Sequence, residues 1–226
     1  MKTRKHPDWL KVKLPQAGRF RRIKGILSDA KLNTVCEEAS CPNIGECWEK
    51  GTATFLLMGA SCSRNCGYCN VSFEKKAPLD FSEPKNISRA VRKLGLRYAV
   101  ITSVTRDDIK DGGAGHFADT IREVKKENPD TGIEVLVPDF NGNSDDVKKV
   151  CDAKPIVFAH NIEVVKRLFP LLRPQGKYEV SIEVLRKAKS LGMDTKSGFM
   201  IGFGEVIEDI IDTLNDLRDA GVSIVT

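Results

Sequence analysis

A chain of 226 residues with 41% hydrophobic and 30% charged residues is long enough to bury a core and too apolar to be disordered. Its longest apolar runs, such as residues 55–58, are far shorter than the roughly 18 residues of a membrane helix. The net charge is +5, and the N-terminus has neither the apolar stretch of a secretory signal nor the serine content of a transit peptide, so we expect a soluble, cytoplasmic protein.

The first feature in chain order is a basic arm. Residues 1–25 contain nine Lys or Arg and one acid, Asp8, which leaves a net charge of −3 on the rest of the chain. Such an arm is as compatible with a solvated tail as with a surface that docks an acidic protein, nucleic acid or a membrane. Composition alone does not choose among these partners.

Six of the seven cysteines lie within 34 residues. They form two triplets around an apolar run, with Cys36, Cys41 and Cys47 before it and Cys62, Cys66 and Cys69 after it. In a reducing compartment, clustered cysteines are metal ligands more often than disulfides. Zinc usually takes four ligands, often from two Cys-x-x-Cys pairs, and only one such pair occurs here. Two iron–sulfur clusters, each held by three thiolates with one iron left open, fit the spacing better.

After the first triplet, short apolar runs alternate with amphipathic segments. The predicted strands are residues 52–58, 98–102, 132–138, 155–159, 197–201 and 222–226. The predicted helices are residues 84–94, 115–127, 144–150, 162–169, 179–190 and 205–220. Ser144 is predicted to cap the third helix, and Gly192 to end the fifth.

This alternation predicts an α/β fold in which helices cover a parallel sheet. Right-handed crossovers allow a doubly wound sheet or a barrel, and no Gly-x-Gly-x-x-Gly follows the first strand, which disfavours a dinucleotide-binding sheet. Five complete units and a sixth strand predict a partial (β/α)6 barrel. We predict two parts: residues 1–51 as a basic arm with a cysteine-rich extension, and residues 52–226 as the barrel, its last strand truncated.

Polar and glycine-rich stretches follow the predicted strands. They are the second triplet after the first strand, residues 102–108 and 111–113 after the second, residues 160–163 after the fourth and residues 202–205 after the fifth. Since the carboxyl ends of barrel strands meet at one rim, these stretches are expected to form one site.

Several residues at this rim or near it also have purely structural interpretations. Asp107, Asp108, Asp111 and His116 have the residue types of a hard-metal site, yet Asp-Gly-Gly is more typical of a turn. His160 is as compatible with a packed histidine as with a ligand. Cys151 is expected to be a buried small hydrophobe, and Met58 and Met200 to belong to the core.

The motif Cys62-Ser-Arg-Asn-Cys66-Gly-Tyr-Cys69 resembles the Cys-x3-Cys-x2-Cys signature of radical S-adenosylmethionine (SAM) enzymes. The first triplet is similar to the auxiliary-cluster motif of the lipoyl synthase family, within that superfamily. Residues 101–108, 111–116, 157–163 and 196–205 also resemble this family. The resemblance extends from about residue 8 to residue 226, and the two triplets together make it highly specific.

The resemblance implies two [4Fe–4S] clusters. The set Cys62, Cys66 and Cys69 would hold the cluster that chelates SAM, and Cys36, Cys41 and Cys47 the auxiliary cluster. In this family, reductive cleavage of SAM yields a 5′-deoxyadenosyl radical that abstracts hydrogen from an unactivated carbon. The auxiliary cluster is consumed as the donor of two sulfur atoms, which enter an octanoyl chain at C6 and C8 in lipoate biosynthesis.

The resemblance also implies contacts to SAM. They are Thr102 and Ser103 at its methionine end, Asn161 and Glu163 near its ribose and carboxylate, and Gly198, Met200 and Gly202 against its adenine. Structural alternatives stay open for these positions. Thr102 and Ser103 can simply end a strand, and Glu163 can be a first-turn acid favoured by the helix dipole.

The expected partners follow from the same resemblance. The octanoyl group is attached to a lysine of an acidic lipoyl carrier domain, which the basic arm fits, and a low-potential donor such as ferredoxin or flavodoxin supplies electrons. Neither nucleic acid nor a membrane is expected as a partner. The alternatives are a truncated, non-catalytic iron–sulfur or zinc module and another radical SAM enzyme.

The C-terminal region departs from the family pattern. Members of the family continue beyond the sixth strand to an Arg-Ser-Ser-Tyr motif, whose serine is the fourth protein ligand of the auxiliary cluster. That motif does not occur in this sequence. We therefore expect either a fragment or a protein that works without the serine.

Overall fold

The computed structural model describes residues 17–38, 41, 43–49, 52–73 and 76–226. The strands are β1 (Asn33–Thr34), β2 (Thr52–Leu57), β3 (Tyr98–Ser103), β4 (Gly132–Leu136), β5 (Val157–Ala159), β6 (Thr195–Ser197) and β7 (Ile224–Val225). The helices are α1 (Ala17–Asp29), α2 (Val35–Glu38), α3 (Ile44–Glu49), α4 (Glu83–Leu94), α5 (Ala114–Glu127), α6 (Ser144–Asp152), α7 (Phe169–Leu172), α8 (Tyr178–Ser190) and α9 (Ile207–Asp219). Within these described ranges, 3-10 turns span Phe140–Gly142 and Lys166–Leu168.

The strands form one sheet in the order β1 to β7, so each strand pairs with its neighbours along the chain. β1 is antiparallel to β2, and all pairs from β2 to β7 are parallel. At least one helix lies in every parallel connection. Sequential parallel strands with helical crossovers are the arrangement of a (β/α) barrel, which confirms the predicted fold class of a partial (β/α)6 barrel.

The core lies between the sheet and its covering helices. On α5, Phe117, Ile121 and Val124 recur at spacings of four and three residues and are fully buried. They belong to the same hydrophobic cluster as Ile101 on β3 and Ile133 on β4. Burial of each such side chain contributes about 1.5–3 kcal/mol relative to exposure, which is what holds the helix on the sheet.

Helices α1 and α3 pack beside the first barrel strand. Leu27 and Trp48 are buried and share the main hydrophobic cluster with Phe55 on β2. The ring of Phe20 stacks on Trp48, with centroids 4.8 Å apart. Most of the predicted basic arm, residues 1–16, lies outside the described residues. The predicted division after residue 51 stays a prediction.

One predicted helix is wrong at its start. Residues 162–165 are not helical, and the first turn of this segment begins at Lys166. Glu163 instead forms an isolated bridge with Phe199, donates its N–H to the carbonyl of Gly198 at 3.1 Å, and accepts from the N–H of Met200 at 2.8 Å. The interpretation of Glu163 as a first-turn acid is therefore wrong, because a long-range backbone pairing overrides the local helical pattern.

Several other boundaries also differ from the prediction. The fifth barrel strand is Thr195–Ser197, where β6 can pair with both β5 and β7, rather than residues 197–201. Asn143, not Ser144, caps α6, because its side-chain oxygen accepts the N–H of Asp145 at 3.0 Å. In the described parts of the chain, no helix is both long and apolar enough to cross a membrane.

Candidate active site

A cavity of about 270 Å³ lies at the carboxyl ends of β2, β3, β4 and β5. The candidate residues from the sequence that line it are Cys62, Cys66, Cys69, Thr102, Ser103, His160, Asn161 and Glu163. The fold thus brings together three rim stretches that are about 40 and 60 residues apart in the sequence, as expected for a barrel whose connecting loops converge at one rim.

The second triplet lies on the loop after β2, and backbone hydrogen bonds anchor this loop at both ends. The N–H of Cys62 donates to the carbonyl of Ser72 at 2.7 Å, and the N–H of Gly67 donates to the carbonyl of Leu172 at 2.9 Å. Within the loop, the N–H of Cys69 donates to the carbonyl of Cys66 at 3.0 Å, which closes a turn. The Cys-x3-Cys-x2-Cys motif therefore folds into a turn that places its three thiols in the wall of one cavity.

The thiol of Cys66 is partly buried in this loop. Burial raises the pKa of Cys66, while a hydrogen bond from Tyr68 and the positive charge of Arg173 oppose that shift. Negative charge on Cys62 or Cys69 raises it further, so the three sulfur atoms are electrostatically coupled. Because iron binds thiolates, loading this site releases protons, and bound cations would relieve the repulsion.

A carboxylate and a guanidinium also line the cavity, those of Glu163 and Arg173. Burial raises the pKa of Glu163, and Arg173 and a hydrogen bond from Asn161 oppose the shift. Arg173 donates to the carbonyl of Asn161 at 3.1 Å and is itself buried. Glu163 adopts a left-handed backbone (φ +69°), which is uncommon for a residue with a side chain and is typical of functional positions. Sequence reasoning missed Arg173, since no motif surrounds it.

Neighbouring hydroxyls on β3 differ in their partners. The hydroxyl of Thr102 donates to the carbonyl of Leu136 at 2.7 Å, so it joins β3 to β4. The hydroxyl of Ser103 is buried and has no hydrogen-bond partner among the described residues, although the residue lines the cavity. An unpaired buried hydroxyl costs about 1–3 kcal/mol, so this atom fits a site whose polar ligand completes it.

The three residues predicted at the adenine are placed differently. Gly198 is buried, and a Cβ on it would come within 3.1 Å of the side-chain oxygen of Asn161. Met200 packs against the second hydrophobic cluster, formed mainly by α8 and the segment 162–169. Gly202 is exposed and has φ +113°. None of the three is among the residues that line the cavity. Gly198 lies directly behind the cavity wall.

The first triplet lies beside the same cavity. Cys36 is on α2, Cys47 is on α3, and the N–H of Cys41 donates to the carbonyl of Cys36 at 3.0 Å. Burial raises the pKa of Cys36 most, a backbone hydrogen bond from Thr54 opposes this, and negative charge on Cys41 and Cys47 raises it further. Thr54 and Val35, the neighbour of Cys36, both line the cavity.

Each triplet supplies three thiols, which is fewer than the four ligands of a usual structural zinc site and matches a cubane with one iron left open. Among the described residues, no three Cys, His, Asp or Glu side chains form a group able to hold one metal ion. A mononuclear zinc site needs its sulfur atoms about 2.3 Å from one centre. In an iron–sulfur cubane each thiolate binds a different iron, so the ligands stand farther apart.

The acids after β3 have other partners. Asp107 pairs with Arg64 at 2.8 Å, Asp108 with Arg106 at 2.8 Å, and Asp111 with Lys149 at 3.0 Å. His116 lies 2.6 Å from Glu83. The structure therefore uses these acids in ion pairs and turns, and the described residues do not bring them to a common centre.

Two further candidates are structural. His160 is fully enclosed, with its ring nitrogens 2.8 Å from the carbonyl of Val137 and 3.0 Å from the hydroxyl of Ser181, and burial lowers its pKa to about 4. It packs as a neutral imidazole at the end of β5. Cys151 is 4% exposed and belongs to the main core cluster, as expected for a small hydrophobe.

Comparison with known proteins yields one family. Residues 56–217 match the Radical SAM superfamily, and residues 1–41 match the N-terminal domain of lipoyl synthase of the Radical SAM family. The chain is 54% identical over 222 residues to the lipoyl synthase of Rubrobacter xylanophilus, covering 97% of this chain and 69% of that protein. It is 47% identical over 228 residues to the lipoyl synthase of Alkaliphilus metalliredigens, covering 100% of this chain and 79% of that protein.

Solved structures agree on the fold. Methylornithine synthase aligns with a TM-score of 0.62 at 17% identity, over 91% of this chain and 62% of that one. Streptococcus suis SuiB bound to S-adenosylmethionine aligns with a TM-score of 0.59 at 11% identity, over 81% of this chain and 43% of that one. Such low identities establish the fold alone, whereas the much higher identities above define the family. The chain belongs to the lipoyl synthase family of the radical SAM superfamily.

Proposed function

We propose that the chain is a radical SAM sulfurtransferase that inserts sulfur at C6 and C8 of an octanoyl chain carried on a lysine. The observation that carries this proposal is the position of the two cysteine triplets, one in the wall of the cavity and one adjoining it. Two [4Fe–4S] clusters and SAM are the cofactors. When bound, they supply the electron that cleaves SAM, the resulting 5′-deoxyadenosyl radical and the sulfur.

The residues of this chain bind and orient the cofactors. Cys62, Cys66 and Cys69 hold the cluster that SAM chelates, and Cys36, Cys41 and Cys47 hold the auxiliary cluster. The free hydroxyl of Ser103 binds the methionine end of SAM, with Thr102 supporting it through β4. Asn161 and Glu163 bind its hydroxyl and charged groups. Gly198, Met200 and Gly202 are proposed at the adenine, outside the residues that line the cavity.

The cavity walls are suited to a reactive radical. Leu56, Leu136, Val104 and Val137 line the cavity beside the polar groups. Apolar walls exclude water and leave the target carbon as the available hydrogen donor. They also offer an apolar surface to an acyl chain.

The location of the first triplet suits a sulfur donor. Cys36 and Cys47 are on two short helices next to β2 and Cys41 lies between these helices, while Thr54 lines the cavity and contacts Cys36. An acyl chain in the cavity would therefore approach the auxiliary site from the side of β2. The extension at residues 1–51 and the barrel at residues 52–226 would thus each contribute one cluster.

The partner is proposed from charge. An acidic lipoyl carrier domain suits the basic arm at residues 1–25, since complementary charge steers encounter. A low-potential cytoplasmic protein such as ferredoxin or flavodoxin would supply the electrons.

The test is anaerobic reconstitution followed by turnover. We expect about eight irons and eight sulfides per chain, as two cubanes require. With SAM, a strong reductant and an octanoyl-lysine peptide, we expect 5′-deoxyadenosine and a dithiolated peptide detected by mass spectrometry. Stoichiometric zinc without iron would leave the metal-binding module as the function. SAM cleavage without sulfur insertion would point to another radical SAM reaction.

A further inference from the structure

A buried arginine lies inside the second triplet. Arg64 stands between Cys62 and Cys66, and its side chain is only 3% exposed. It donates to both oxygens of Asp107 at 2.8 and 2.9 Å and to both oxygens of Asp139 at 2.6 and 2.8 Å. A further bond reaches the side-chain oxygen of Asn141 at 2.8 Å. Bidentate pairs of this kind hold the guanidinium in one orientation and are stronger than hydrogen bonds between neutral groups.

These acceptors come from two other loops of the rim. Asp107 follows β3, and Asp139 and Asn141 follow β4, so Arg64 joins the loop of the second triplet to both. The Asn141 side chain closes the network by donating to Asp107 at 3.0 Å.

The loop after β4 adopts an unfavourable backbone conformation next to Arg64. Phe140 and Asn141 have φ values of +46° and +50°, and Gly142 follows with +78°. Non-glycine residues adopt this region at a cost, and they persist where the surroundings hold them. Here the turn brings Asp139 and Asn141 to the same guanidinium. The strained turn therefore helps to form the hydrogen-bond network around Arg64.

The network acts on a cysteine through the backbone. The N–H of Arg64 points to the sulfur of Cys62 at 3.4 Å, and the N–H of Thr105 points to the same sulfur at 3.3 Å. Ser63 donates its N–H to the carbonyl of Thr105 at 2.8 Å and its hydroxyl to Asp107 at 2.8 Å. Fixing the side chain of Arg64 thus fixes two N–H groups on the Cys62 sulfur. Hydrogen bonds to sulfur ligands tune the potential of iron–sulfur clusters.

We propose that Arg64 is a positioning residue for the SAM-binding cluster, setting the orientation and N–H···S hydrogen bonds of Cys62 through Asp107, Asp139 and Asn141. The inference rests on the proposed function, because it requires a cluster on the second triplet. The Arg64 guanidinium has no hydrogen bond to a thiol among the described residues, so it acts on Cys62 through its partners and the backbone.

The chain offers a matched control. Arg106 is buried to the same degree, pairs with Asp108 at 2.8 Å and donates to the carbonyl of Met58 at 3.2 Å. No bond joins its side chain to the described part of residues 62–73. Arg64→Lys and Arg106→Lys therefore both replace a buried fork by a single ammonium at the same rim, and only the first touches the second triplet.

The experiment compares the reconstituted full-length variants by EPR. The readouts are the signal that responds to SAM, its midpoint potential and the rate of iron loss to a chelator, with circular dichroism to establish folding. We expect Arg64→Lys to shift the SAM-responsive signal and to move its midpoint potential to more negative values. It should also speed iron loss about tenfold, because removing a residue that orients a metal ligand typically weakens metal binding. Arg106→Lys should match the parent in all three.

Other outcomes are equally decisive. Arg64→Lys with the parent's signal and potential would overturn the proposal, and so would the same shift in Arg106→Lys, which would mean a general loosening of the rim. If Arg64→Lys does not fold, Asn141→Ala removes one acceptor and should give a smaller shift in the same direction, whereas an unchanged potential would again refute the role. A parent chain with no SAM-responsive cluster would instead contradict the proposed function.

Discussion

The two cysteine triplets are held in different ways. Cys62, Cys66 and Cys69 lie on a loop that buried ion pairs and backbone bonds connect to the loops after β3, β4 and β5. In the first triplet, Cys36 and Cys47 lie on helices of four and six residues with Cys41 between them. Apart from packing and one hydrogen bond to Thr54 on β2, its described bonds are local. A cluster that orients SAM must stay in register with the barrel, whereas one that gives up sulfur is better placed at its periphery.

The largest expected effect comes from removing one thiol of each triplet. Cys62→Ala should abolish SAM cleavage and sulfur insertion together, leaving about four irons per chain, the content of one cubane. Cys36→Ala should also leave about four irons, keep SAM cleavage and abolish sulfur insertion. Iron analysis and assay of 5′-deoxyadenosine distinguish the two. Loss of SAM cleavage in Cys36→Ala would contradict separate roles for the two triplets.

Glu163→Gln addresses the SAM side of the comparison. Replacing the carboxylate by an amide removes a charged hydrogen-bond acceptor, worth about 1.5–3 kcal/mol, so the Kd for SAM should rise at least about tenfold. Iron content should not change, because Glu163 is not a ligand of either cluster. Equilibrium dialysis with SAM measures the affinity. Loss of iron in this variant would show instead that Glu163 supports the fold of the cluster loop.

Adjacent hydroxyls on β3 sharpen the comparison further. Ser103→Ala should weaken SAM binding several-fold and leave stability unchanged or slightly higher, since its buried hydroxyl has no protein partner among the described residues. Thr102→Val should cost about 1 kcal/mol of stability, because it removes the bond to Leu136, and should affect SAM binding less. Urea unfolding and SAM titration of both variants give the test. The reverse pattern would contradict the assignment.

The smallest effect at neutral pH is expected at His160. Its pKa falls to about 4 in the folded chain, because of burial, from 6.5 in the unfolded chain. Between these values only the unfolded chain takes up the proton, so stability should decrease as the pH falls from 6.5 toward 4, with no further contribution below. His160→Gln should lessen this slope in unfolding curves measured against pH. A slope equal to the parent's would show that other groups produce it.

Much of the site was predictable because each of its stretches carries a local sequence pattern, and the fold brings together stretches about 40 and 60 residues apart. Each triplet is a short spacing motif, and Thr102, Ser103, Asn161 and Glu163 follow apolar strands, where a barrel places its chemistry. The residues that were missed act over long range. The partners of Arg64 are 43 and 75 residues away, and no local pattern indicates that separation.

The differences between the predicted and the observed secondary structure also arise from long-range contacts. The segment 162–165 has helical periodicity, yet its backbone pairs with residues 198–200. Helices α2 and α3 span only four and six residues, too short for periodicity to reveal them. Local propensity is a weak prior, and tertiary pairing overrides it where segments are short.

Alternating apolar runs predict the order of the barrel strands β2 to β7 and of the longer helices between them, and short cysteine spacings predict the two triplets, because both patterns depend on neighbouring residues. Long-range contacts make Arg64 join three loops, bring the charge of Arg173 near Glu163, and leave Ser103 rather than Thr102 without a hydrogen-bond partner among the described residues. These facts depend on which distant groups meet in a dry interior, where each buried donor and acceptor must find its partner.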